Sequence, residues 1–448
     1  MANATAQATT ERGRGKTGYF RDMERIDRAA GPAWLNTLRD RGAALFMEAP
    51  FPHTKMEEWR QTNIATLVET AYSSVVAGDD RAAAAPDDAA PHLLGGCAAE
   101  LVFVDGLFRP ELSVAGALPT GVTAGSLRDA CRNDGAKTVR TRLGSCLRAR
   151  NAFTALNTAF LDDGAFLHLA PGVELRESVH FVFLSARTAP EQAAHPRVLM
   201  VLEANARASV VMTHAALPGA EAYFNNVVEE IVLGDGASLV RQEVVAEGAT
   251  GRRLGTTEAR LSRDSRLESH TVTLSGALVR SQIMVHLAGP GGSAHLNGLY
   301  LNGGDNLVNH DLGVLHDADH CASRITYKGV LGGESRSVFT GKVHVLPHAQ
   351  QTDSMQLNNN LLLSDAAKVD TKPQLEIYAD DVKCTHGATA GPPPEDIIFY
   401  FRSRGVCEKT ARGMLTYGFA GDIVGQIPDG ALRMRVDRVV FNRFRPEG

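Results

Sequence analysis

From Tyr19 to Met47 the apolar residues Phe20, Met23, Ile26, Ala30, Trp34, Leu35 and Leu38 recur at helical intervals. Gly31-Pro32 breaks this run into two short helices. A polar, Pro-flanked stretch follows, and Glu57-Glu58-Trp59-Arg60 begins another amphipathic piece. From about residue 165 to 370 the period changes. Short β-type runs such as Val198–Leu202 and Glu230–Leu233 alternate with Gly, Asp, Asn and Ser turns. Their ends echo one another: Leu202-Glu-Ala-Asn-Ala, Leu233-Gly-Asp-Gly-Ala, Leu261-Ser-Arg-Asp-Ser and Leu287-Ala-Gly-Pro-Gly follow at intervals of about 26 to 31 residues. Such an echo predicts a β-solenoid with loops inserted into its coils, although an antiparallel sandwich also yields short strands and turns. Beyond residue 390 the pattern is helical again. Pro394-Glu395-Asp396 opens a helix carrying Phe399, Tyr400 and Phe401, and Arg404-Gly405 ends it. A second helix, Glu408 to Phe419, sets Ala411, Leu415 and Phe419 at four-residue spacing, and Gly413 and Gly418 leave it dependent on packing.

These patterns divide the chain into a disordered tail at 1–18, an N-terminal helical region with a linker at 19–150, a β core at 151–390 and a C-terminal helical region at 391–448. The linker is the Ala/Asp/Pro-rich stretch from Gly78 to Pro91.

Composition narrows the function. The 448 residues are 44% hydrophobic and 22% charged, which is the balance of a soluble globular protein. The net charge of −5 gives no sign of a nucleic-acid or membrane surface, and no apolar run is long enough to span a bilayer. No secretory leader is recognisable, so a cytoplasmic location is expected. Aromatics are only 6% while glycines number 43, which suits stacked short strands with tight turns.

The cysteines are Cys97, Cys131, Cys146, Cys321, Cys384 and Cys407, with no C-x-x-C pair, so a cysteine-ligated centre within this chain alone is not expected. Neither a P-loop nor a strand-linked G-x-G-x-x-G is present, so any ATP chemistry has to come from a partner. Cys384-Thr385-His386 would place Cys and His on one side of an extended segment, either as ligands facing one iron or as a packed thiol beside a hydrogen-bonded imidazole. His310, His316, His320 and Cys321, with His344 and His348, are rich in ligand atoms but read as surface or interlayer polar residues rather than a metal site. The paired acids Asp162-Asp163 and Glu229-Glu230 keep open a β-helix polysaccharide lyase or hydrolase.

The C-terminal block carries a resemblance. Gln356-Leu-Asn-Asn-Asn-Leu-Leu-Leu-Ser364 and Thr371-Lys-Pro-Gln-Leu-Glu-Ile-Tyr-Ala-Asp-Asp-Val-Lys-Cys-Thr-His-Gly-Ala-Thr389 closely resemble the core motif of the SufB/SufD family of iron–sulfur cluster assembly proteins. Phe399-Tyr400, Arg402-Ser403-Arg404-Gly405 and Tyr417-Gly-Phe-Ala420 continue it. So do Tyr327-Lys-Gly-Val330 and Phe339-Thr-Gly-Lys-Val343, and upstream Phe153–Phe160 and Glu57–Thr62, so the likeness covers nearly the whole chain after the tail. It implies a mainly β fold, a right-handed parallel β-helix between N- and C-terminal helical regions. It also implies a non-catalytic scaffold subunit acting with a SufC-type ATPase and a SufB paralogue, with a homodimer as another assembly.

The SufB pattern places a cysteine where Ala367 falls and a glutamate where Gly387 stands, so both positions favour the SufD side. The same resemblance makes His386, with Cys384 in reach, the cluster-assembly interface. There His386 would be a transient iron ligand to a nascent cluster shared with SufB, with no cofactor stably bound. It also assigns SufC docking to the helices around Arg404, Gly405, Leu415 and Phe419.

Overall fold

A computed structural model of the chain describes residues 15–79, 84–133, 135–148, 150–186 and 191–445. Most of the expected tail, and residues 80–83 of the expected linker, lie outside the described residues.

The core consists of two sheets that the chain visits alternately. One takes Gly164–Leu169, Arg197–Leu202, Phe224–Leu233, Arg252–Leu261, Leu278–Leu287, Leu307–His316, Arg336–Val345 and Lys368–Ile377. The other takes Ala99–Val104, Val179–Ser185, Arg207–Ala216, Ser238–Ala246, Arg266–Ser275, Ser293–Asn302, Ala322–Leu331, Thr352–Leu362 and Val382–Gly391. Pairing along the coils is parallel and in register, so Phe224, Arg252, Leu278, Leu307, Arg336 and Lys368 stand in one column. This is a parallel β-solenoid of about seven turns, and the parallel register excludes the sandwich. Alternate residues of each strand point inward. Val279, Ile283, Val285 and Leu287 of one sheet meet Leu267, Ala294 and Leu296 of the other in a single core.

One turn of every coil is built alike, which explains the echo in the sequence. Gly172, Asn205, Gly236, Asp264, Gly291, His320 and Gln351 all adopt positive φ, between 55° and 72°. The amide of each donates to a carbonyl in the next coil: Asn205 to Asp235, Gly236 to Arg263, Asp264 to Pro290, Gly291 to Asp319, His320 to Gln350 and Gln351 to Asp381. The turns therefore stack as a continuous backbone ladder in a left-handed conformation that Gly, Asn and Asp adopt most readily.

The helical regions cover the two outer faces. Tyr19, Phe46, Trp59 and Ile64 pack with Phe224, Leu254 and Leu278 on one sheet. On the other, Val211, Val244, Val272, Leu299 and Val330 meet Ala420, Ile423, Val424, Leu432, Val436 and Val440. The helix Glu408–Val424 runs past the Phe419 expected as its end, and a further helix, Gly430–Phe444, follows it.

The N-terminal region differs from its helical expectation. Ala99–Val104 joins the second sheet beside Val179–Ser185, and Val122–Ser126 pairs antiparallel with Gly164–Leu169. Every residue of Ala99–Val104 is buried, so the strand lacks the alternation that marks a half-exposed one. The β core conversely begins later than residue 151, because Ala152–Ala159 is a fully buried helix. Gly42 lets the helix Ala33–Glu48 lie against it, since a Cβ at that position would sit 2.6 Å from the amide nitrogen of Ala159.

Candidate functional site

The two ends of the solenoid are unlike. At the N-terminal end Ala99–Val104 is edged by the two-residue strands Leu107–Phe108 and Val114–Ala115, both antiparallel. At the C-terminal end the ten-residue strands Lys368–Ile377 and Val382–Gly391 are the last of their sheets, with a paired neighbour on one side only. None of their residues except the turn between them is deeply buried, so backbone donors and acceptors of both strands line an open edge.

Cys384 and His386 lie on Val382–Gly391, in register with Ser354 and Gln356 of the preceding coil. In-register residues of parallel neighbours share a face. Ser354 and Gln356 are buried inside the solenoid, so Cys384 and His386 form the inner wall of the last coil. Cys384 is half-buried against the end of the core, and burial, with the Asp353 charge adding, pushes its thiol up and keeps it protonated at neutral pH. His386 is exposed at the mouth. The structure thus brings these two sequence-singled residues onto one wall. Gly387 is on the opposite face, where a Cβ would approach Leu357 Cδ2 to 3.0 Å. Ala367 is buried at the rim of the core, just before Lys368–Ile377.

The residues assigned to docking divide. Arg404 closes the helix Glu395–Ser403 with its guanidinium 5.2 Å from the Tyr400 ring centre, and Gly405 follows with φ of 84°; both are exposed. Phe419 packs against the sheet-facing cluster and lies under Lys328 Nζ, 4.4 Å from its ring centre, so it is occupied within the chain. Leu415 is half-buried. The most exposed apolar side chains on these two helices are Phe399, 72% exposed, Tyr400 and Met414. Three consecutive aromatics at 399–401 were the available signal, because a helix cannot bury three successive positions on one face.

The histidine-rich group does not converge. His310 is buried between the rings of Tyr300 and Tyr327, and His316 is buried with Nε2 2.9 Å from Ser323 Oγ. His320 is an exposed turn residue, and Cys321 donates to the Gly289 carbonyl. On the outer face His344 pairs with Glu376 and His348 with Asp317. Among the described residues one trio of metal-capable groups does converge, Cys97, Glu100 and His180. Its hydrogen-bonding needs are met within the fold. Glu100 accepts from the Leu94 amide and from His180 Nδ1, while His180 Nε2 meets Thr213 Oγ1. Burial, with Glu100 adding, pushes the Cys97 thiol up to about 12.

Burial holds His310 down to about 3 and His316 to about 4. Both are neutral in the fold but take up protons near pH 6.5 once unfolded. Their stabilisation is complete above about pH 6.5 and is lost as pH falls from there towards 4 and then 3. Urea unfolding at pH 5 should give a stability lower than at pH 7 by about 2 kcal/mol for each histidine. A His310→Phe variant should show a correspondingly shallower slope; an unchanged slope would mean that His310 does not contribute.

The paired acids are also spent inside the protein. Asp163 accepts from the Phe108 amide and Ser126 Oγ. Glu229 is held by Arg241 and Glu230 by Arg197, all nearly or fully buried and on opposite faces of the sheet. No described helix is long and apolar enough to cross a membrane.

Comparison with known proteins agrees with this architecture. Residues 183–419 match the family model described as SUF system FeS cluster assembly, SufBD core domain, and residues 17–181 match the SufBD protein N-terminal region. The chain is 31% identical to an iron–sulfur cluster assembly SufBD family protein of Synechocystis, over 90% of each. It is 30% identical to the iron–sulfur cluster assembly protein SufD of Escherichia coli, over 86% of this chain and 87% of that one. It is 24% identical to the SufD of Bacillus subtilis over 92% of this chain and 95% of that one. The two family models together cover residues 17–419, and with this solenoid they place the chain in the SufBD family, with a role in SUF iron–sulfur cluster assembly.

Proposed function

We propose that the chain is the SufD-type half of an assembly scaffold, not catalytic by itself, that completes its site only when joined to a partner. The observation that carries this reading is the one open end of the solenoid, with His386 and Cys384 on the inner wall of its last coil. Two ten-residue edges with unpaired backbone groups suit β-augmentation by another solenoid. A SufB-type paralogue is the proposed occupant, and a second copy of this chain is the competing one. One imidazole and one neutral thiol are too few donors to retain iron, so His386 is proposed as a transient ligand to substrate iron or a nascent cluster, with nothing stably bound. The alternative β-helix lyase or hydrolase loses its support, because Asp163, Glu229 and Glu230 are all occupied in the interior.

The exposed aromatics on Glu395–Ser403 are the proposed seat of a SufC-type ATPase. The test is co-expression with SufB- and SufC-type subunits and capture through a tag on this chain. Wild type should retain both. Phe399→Glu should lose the ATPase at least tenfold while keeping the SufB-type subunit, since the side chain it replaces is mostly in solvent. Failure of the wild type to capture either subunit would sink the scaffold reading.

A further inference from the structure

Beneath His386 the inner wall carries buried polar atoms without partners. Gln356 is 0% exposed, and neither its amide nitrogen nor its amide oxygen has a hydrogen-bond partner. It stands one rung below His386 in the same column. Across the lumen, Gly341 leaves it room. A Cβ there would lie 2.6 Å from Gln356 Cδ and Nε2 and 2.7 Å from Oε1, so the amide plane rests on the glycine backbone. Thr371, on the last strand of the other sheet, pairs with the core residue Phe339 and therefore faces inward, and its hydroxyl is also unpartnered.

An amide buried without partners works against folding, and a leucine of similar size would avoid that cost. Orphaned groups of this kind concentrate where a protein trades stability for function. Others lie deeper in the solenoid, at Arg253 and Tyr327 among them, but Gln356 and Thr371 sit next to the open end, against the wall that carries His386.

We infer that Gln356 and Thr371 are positioning residues for the ligand held at His386, which deepens the reading of His386 and rests on it. The Gln356 N–H groups and the Thr371 O–H donate to an anionic ligand of iron, such as the sulfide of an assembling cluster. Hydrogen bonds to cluster sulfur are a general means of stabilising it. The floor of the last coil then supplies neutral donors, while His386 and the partner supply the metal ligands.

The test uses the complex co-expressed with SufB- and SufC-type subunits, reading iron content, visible absorption of the assembled cluster and melting temperature of the isolated chain. Gln356→Leu should leave the complex intact and the melting temperature equal or higher, yet lower cluster yield at least fivefold. Gln356→Glu, which keeps the length but loses the donors, should not restore it. Thr371→Val should lower the yield and Thr371→Ser should restore it. A lowered melting temperature in Gln356→Leu would show a packing role and overturn the proposal. Wild-type yield in Gln356→Leu beside a lost yield in His386→Ala would overturn it while leaving His386 standing. Wild-type yield in both would remove the His386 reading and this one with it.

Discussion

His386→Ala is expected to lower cluster formation by the co-expressed complex by roughly 10- to 100-fold, the range over which weakening a metal-ligand set usually acts. The complex itself should still form. His386 is exposed on the last strand and closes no part of the core, so its removal leaves no cavity. That separation makes the experiment decisive. Iron and labile sulfide per complex report the ligand role, and size-exclusion elution reports assembly. Loss of the complex would make the residue structural, whereas full cluster yield would remove it from the site. Cys384, half-buried and held protonated, should matter less, because a neutral thiol is a weak ligand until it loses its proton.

The second large effect lies deep in the solenoid. Arg241→Ala should destabilise the chain by about 3–5 kcal/mol, a fall in melting temperature of roughly 3–5 °C for cooperative unfolding of 448 residues. Arg241 is 1% exposed and reaches Glu229 through Nε and Nη2 at 2.7–2.9 Å, Glu243 at 3.0 Å, and Ser269 and Thr271 through Nη1. Its two acidic partners hold the guanidinium charged despite complete burial. Glu243 also takes Arg253 and His214, and its carboxyl is held well below the usual carboxylate range. Removing Arg241 strands Glu229 where water does not reach and leaves Glu243 to Arg253 and His214. Replacing Arg241 and Glu229 together by apolar residues of similar volume should therefore cost less than the single change, since Glu243 keeps Arg253 and His214. A melting temperature unchanged by Arg241→Ala would mean that solvent enters the lumen and screens the network.

The coil repeat was legible in the sequence wherever the stacked turn carries Gly236, Asp264 or Gly291. It faded where His320 and Gln351 take the same left-handed position, because neither residue type signals a turn. The helices 395–403 and 408–424 were legible from caps and spacing. Gly430–Phe444 was not, since its arginines interrupt the apolar stripe of Leu432, Val436 and Val440. The polar interior is not legible along the chain for a physical reason. Glu229 and Arg241 lie on different strands, and Arg241 meets Ser269 only when one coil is laid on another. Along the chain they look like the solvent-facing half of an alternating strand. The motif around His386 was recognisable, but the burial of Gln356 and the open edge depend on which coil is last.

The blunted N-terminal end gives the open edge a valency of one. With long edges at both ends, copies would stack coil on coil into filaments, as head-to-tail interfaces do when no rotation closes them. The antiparallel strands Leu107–Phe108, Val114–Ala115 and Val122–Ser126, two to five residues long, edge both sheets there and disfavour growth in that direction, so association through the other end terminates at two chains. If chains join through that edge, a cell making this subunit in excess would accumulate pairs rather than fibres.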